Sequence, residues 1–91
     1  MNQQQLILQV SQETYRLRQI IDSCKTKNQL LNARQLCNNV VLKWINMSDL
    51  LSSNIEVFLR IQVASRVLTS FLIEKAKYIK QDSSFKHYHY D

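Results

Sequence analysis

The chain has no glycine and no proline anywhere in its 91 residues, where average usage would supply roughly ten or more of the two together. Hairpin corners draw on Gly, Asn-Gly or Pro, because those residues supply a positive or pre-set φ. A multi-stranded sheet would have little here to build its turns from. Helices need far less punctuation, so the two missing residue types point to an all-α fold with few connections. The length allows one domain, since domains run from about 50 to 250 residues and cores weaken toward the lower end. With 45% hydrophobic and 21% charged residues, the chain stands clear of the apolar-poor compositions that stay disordered.

Apolar residues recur at spacings of three and four, which predicts three amphipathic helices. The first runs from Asn2 or Gln3 to between Asp22 and Cys24, with Leu6, Val10, Thr14, Leu17, Ile21 and Cys24 as its inward stripe and Ile7 and Ile20 widening it. Thr26-Lys27-Asn28-Gln29 has the form of a capping box, in which the Thr26 hydroxyl accepts from the Gln29 amide while the Gln29 side chain reaches back to the cap. The second helix starts there and carries Leu30, Ala33, Cys37, Val40, Trp44 and Met47 on its seam, with Leu36, Val41 and Ile45 beside them. Ser48 to Ser53 interrupts the pattern, and Ser53-Asn54-Ile55-Glu56 reads as a second capping box. The third helix then begins near Asn54, ends around Gln81 or Asp82, and buries Phe58, Ile61, Ala64, Leu68, Phe71, Leu72, Ala76 and Ile79.

Short links between three such helices predict an antiparallel up-down-up bundle over residues 1–82. The third helix, about 42 Å long against roughly 32 Å for its neighbours at 1.5 Å per residue, should overhang them. Residues 83–91 lack a period and are expected to form a mobile tail, dispensable for folding. A second apolar line on the third helix, Leu59, Val63 and Ile73 with Arg66 among them, exceeds what two neighbouring helices can cover. That surplus predicts a protein partner, most simply another copy of the chain.

Several function classes drop out. The seven acidic residues are scattered, both histidines sit in the tail, and no nucleophile stands beside a base with an orienting group. Without glycine there is no phosphate-cradling loop, so no enzyme, no cofactor and no small-molecule substrate is expected. His87 and His89 fall short of the three or four fixed ligands a tight metal site uses. Glu56, Arg60, Gln62 and Arg66 interrupt the longest apolar region well short of the roughly 20 residues of a membrane span. Met1 to Val10 has neither the cationic start nor the apolar core of a secretory signal, so a cytoplasmic chain is expected. Cys24 near the first turn and Cys37 up the second helix should lie on the order of 15 Å apart, too far for a disulfide.

Net charge is +5, and the bundle topology gathers Lys25 and Lys27 at one pole with Lys75, Lys77 and Lys80. Clustered lysines are the footprint of a nucleic-acid binder, whereas cations late in a helix also offset its negative dipole end. The sequence therefore predicts a non-enzymatic, dimeric helical interaction module that binds or inhibits another macromolecule through Leu59, Val63, Arg66 and Ile73. The alternative is a basic regulator whose lysine pole contacts nucleic-acid phosphates.

Overall fold

The computed structural model describes residues 2–51 and 55–90, with side chains in the second stretch as far as residue 79. Three helices, α1 (Gln3–Ser23), α2 (Lys27–Leu50) and α3 (Ile55–Tyr90), pack together around one core, with no strand among the described residues. Asn2 caps α1: its side chain accepts from the Gln5 amide at 2.9 Å, and the Gln5 side chain accepts from the Asn2 amide at 2.8 Å.

The link between α1 and α2 shows how the chain turns without glycine. A helix commonly exits through a left-handed residue, usually Gly. Here Cys24 leaves with φ −68° and ψ 131°, and Thr26 enters α2 with φ −123° and ψ 158°, regions open to any residue. The last carbonyls of α1 are covered by side chains instead: Ser23 Oγ donates to the Ile20 oxygen at 2.7 Å, and Lys75 Nζ reaches from α3 to the Asp22 oxygen at 2.7 Å. At the start of α2, Thr26 Oγ1 accepts from the Gln29 amide at 3.1 Å, while Gln29 Oε1 accepts from the Lys25 amide at 2.8 Å. The expected reach-back to Thr26 itself is thus displaced by one residue, because the extended link turns the Lys25 N–H toward the first turn. The second expected box, at Ser53 to Glu56, falls partly outside the described residues.

Leu6, Val10, Leu17, Ile21 and Cys24 of α1 meet Leu30, Ala33, Cys37 and Trp44 of α2 and Val57, Ile61, Ala64 and Leu68 of α3 in the core. Three expectations need correcting. The α3 stripe begins at Val57, leaving Phe58 half exposed and Ala76 outside it, because Val57, Ile61, Ala64 and Leu68 keep the four-three spacing that one seam requires. Ser48 is buried inside α2 rather than marking its end; its small side chain fits one turn beyond Trp44. The third correction concerns length. α3 continues to Tyr90 instead of stopping near Gln81 or Asp82, since hydrophobic period shows which face packs, and no glycine or proline ends the helix. Its 36 residues make about 54 Å, nearly the 58 Å long dimension of the molecule.

One polar cluster links α1 to α2. Trp44 is fully buried, and its Nε1 donates to Glu13 Oε1 at 3.0 Å. Gln9 Nε2 donates to the same oxygen at 2.8 Å, and Lys43 Nζ pairs with Oε2 at 2.8 Å. Burial alone would push the Glu13 carboxyl up, but the hydrogen bonds from Lys43, Trp44 and Gln9 and the Lys43 charge outweigh it and hold the group below its ordinary value.

Two outcomes follow from this packing. Leu68→Ala should cost about 2–5 kcal/mol in urea unfolding, while Phe58→Ala should cost less than about 1 kcal/mol; equal costs would place Phe58 in the core after all. Because the Glu13 pKa is depressed by folding, its ionised form contributes stability above the ordinary carboxyl range, and that contribution fades as pH falls through the folded value. Glu13→Gln should therefore be about 1 kcal/mol less stable than the parent at pH 7, with the gap closing at pH 3. A gap independent of pH would assign the effect to shape rather than charge.

Candidate interaction surface

α3 presents more apolar surface than the core uses. Leu59, Val63 and Ile73 are 48%, 59% and 54% exposed, and Arg66 beside them is exposed as well. At roughly 100° per residue these four side chains fall within about one quarter of the helix circumference. The structure thus leaves the sequence-predicted line on the outer side of α3, with Leu59 and Val63 nearest α1 and Arg66 and Ile73 farther round.

Leu59 and Val63 also form one wall of a groove of about 880 Å³ between α1 and α3. Its apolar lining includes Ile7, Leu8, Tyr15, Leu59, Val63 and Val67, and Glu56, Arg60 and Arg18 are its charged groups. Leu8 and Tyr15 are 58% and 62% exposed. The Arg18 guanidinium lies 4.3 Å from the centre of the Phe71 ring, a cation–π contact that holds it against α3. Arg60 and Glu56 form an i,i+4 pair at 3.6 Å, both more than half exposed.

The α1 wall has no continuous apolar stripe to mark it in the sequence. Gln4, Leu8, Ser11, Tyr15 and Arg18 line the groove at a four-three-four-three spacing, the period of a second helix seam. The polar members hide it: only Leu8 and Tyr15 are apolar, and they lie two turns apart.

The lysines divide. Lys25 and Lys27 are exposed at the α1–α2 link, and Lys75 is brought to that same end by its bond to the Asp22 carbonyl. Lys77 is exposed on α3, and the Lys80 side chain lies outside the described residues. Lys75 therefore serves the C-terminus of α1, where a cation offsets the helix dipole.

Cys24 and Cys37 are both free and buried. Burial pushes the Cys37 thiol up, and the neighbouring Cys24 adds to the rise, so it is a poor source of reactive thiolate. Among the described residues no group of three His, Cys, Asp or Glu could hold a metal ion, and no helix there is long and apolar enough to cross a membrane. No protein-family model, curated protein or solved structure matches the chain.

Native protein at neutral pH should resist a thiol reagent and react at both cysteines once unfolded in guanidinium. Fast labelling of the native state would show that the core around Cys37 opens readily.

Proposed function

We propose that the chain is a non-enzymatic helical protein–protein interaction module that self-associates and binds or inhibits another macromolecule. The observation that carries this reading is the uncovered apolar line of α3, Leu59, Val63 and Ile73, with Arg66 among them. Apolar side chains grouped on one side of a helix gain from being covered, at roughly 25 cal/mol per Å² removed from water. Arg66 beside them supplies a polar, orienting contact of the sort enriched at interfaces.

An antiparallel up-down-up arrangement suits the reading and has its own support. Glu13 pairs with Lys43 and Trp44 across α1 and α2, far along the second helix, while the link itself is short. Between α1 and α3, one step of four residues on each helix leads from Arg18 over Phe71 to Lys75 on Asp22, as expected of two helices running the same way. A cytoplasmic setting is consistent with two buried thiols left unpaired.

Light scattering at micromolar concentration tests the self-association. The parent should exceed the monomer mass of 10.8 kDa, and Val63→Glu should lower the mass while the chain remains helical by circular dichroism, since Val63 is exposed in the single chain. A strict monomer whose Val63→Glu form is indistinguishable from it would remove the proposal.

The second reading is a nucleic-acid-binding regulator using Lys25, Lys27, Lys75, Lys77 and Lys80, favoured by the placement of Lys75 at the same end as Lys25. Neutralising several phosphates makes affinity fall steeply with salt. Filter binding of mixed DNA and RNA at low and at physiological salt checks it, and no retention at low salt ends it.

A further inference from the structure

Two contacts set how α1 and α3 lie beside each other. Lys75 Nζ bonds the Asp22 carbonyl across 53 positions of sequence, and Arg18 stacks on Phe71 with that same offset. Each residue of α1 therefore stands level with the α3 residue 53 positions later. On this ruler Glu56 lies at the start of the groove and Arg18, level with Phe71, lies at its far end, roughly 22 Å away at 1.5 Å per residue.

We infer that a second copy of this chain fills the α1/α3 groove about a two-fold axis at the level of Val63, forming a four-helix layer in which Glu56 of each copy meets the partner's Arg18. The inference rests on the self-association proposed above and specifies its geometry. The levels of Glu56 and Phe71 are symmetric about Val63 and Ala64, so a two-fold axis perpendicular to the helices there exchanges them. One operation thus creates the charge pair twice, as an isologous interface requires. Arg18 is already held on the α3 side by the Phe71 ring, which is the side where the second copy's α3 would run.

The apolar residues obey the same axis. It brings Val63 to the level of the partner's Val63, Leu59 to that of the partner's Tyr15, and Val67 to that of the partner's Ile7. All of these line the groove, so each layer gains apolar residues from both copies. Both walls also carry the spacing of a helix seam: Gln4, Leu8, Ser11, Tyr15 and Arg18 on α1, and Glu56, Arg60, Val63 and Val67 on α3. Three- and four-residue spacing on both walls is what antiparallel helices use to interdigitate in a bundle. The axis also runs the second copy's α1 and α3 antiparallel to the first.

Charge exchange in trans tests the register on the full-length chain. Glu56→Arg alone and Arg18→Glu alone each place like charges at both junctions, and each should weaken the dimer about tenfold in sedimentation, the scale of two surface pairs turned from attraction to repulsion. An equimolar mixture of the two variants should recover the parent affinity, because only the mixed dimer sets opposite charges at both junctions. Within one chain these residues are too far apart for the recovery to arise internally. Circular dichroism melting confirms that each variant folds. If Arg18→Glu does not, Arg18→Met, which still covers Phe71, replaces it in a double-mutant cycle with Glu56→Gln, and a non-zero coupling in the dimer constant is the expected result. A parent that dimerises with no recovery on mixing, or with zero coupling in the cycle, overturns this register while leaving self-association intact. A parent that stays monomeric at several hundred micromolar overturns both.

Discussion

The buried indole of Trp44 sets the terms for the rest of the bundle. An apolar ring of that size contributes strongly to the core, but its N–H must find an acceptor once water is excluded. Glu13 Oε1 is that acceptor, at 3.0 Å, and a carboxylate drawn partly out of water needs compensation of its own. Gln9 and Lys43 supply it. A chain of requirements thus begins with one hydrophobic side chain and ends by fixing α2 against α1 in one register. Sliding either helix by a turn would leave the indole N–H and a half-buried carboxylate unpaired together, a larger loss than the apolar stripes alone could impose.

With α1 and α2 held in this way, α3 is placed by side chains at its far half. Lys75 covers a carbonyl that a glycine exit would otherwise have satisfied, and Arg18 lies over Phe71. The absence of glycine and the position of α3 are therefore connected. A helix that ends in extended backbone leaves carbonyls for others to cap, and the cap here comes from another helix rather than from the local chain. The same lysine is withdrawn in part from the positive pole, so the charge that reads as a nucleic-acid footprint in sequence is partly structural in the fold.

Much of the architecture was legible because it rests on period. The stripes from Leu6 to Cys24 and from Leu30 to Trp44 are core, and the Thr26 cap begins α2. Period failed where it was ambiguous. Phe58 and Val57 are neighbours, and size favoured the wrong one; only the four-residue step to Ile61 selects Val57. Ser48 was read as a break because it is polar, and the end of α3 was read from the loss of a packing face. The Glu13 cluster could not be read at all, since it joins residues about 30 positions apart through atoms that no pattern of hydrophobicity records. For the surface, Leu59 and Val63 were legible as surplus apolar residues, whereas Leu8, Tyr15 and Arg18 became visible only when α3 was laid beside them.

Outside their core stripes, α1 and α3 each carry a second, mixed seam along the groove. In the proposed dimer, a groove residue that was fully polar would forfeit a partner, and one that was fully apolar would make the lone chain prone to aggregate. The α1 wall alternates Leu8 and Tyr15 with Gln4, Ser11 and Arg18, and the α3 wall alternates Leu59, Val63 and Val67 with Glu56 and Arg60. In the proposed dimer such a mixture would give modest apolar burial and leave orientation to charge, as electrostatic complementarity usually divides the work at an interface. A single acid at one end of the groove and a stacked arginine at the other is the least that can distinguish an antiparallel pair of copies from a parallel one, since a parallel pair would set Glu56 beside Glu56 and Arg18 beside Arg18.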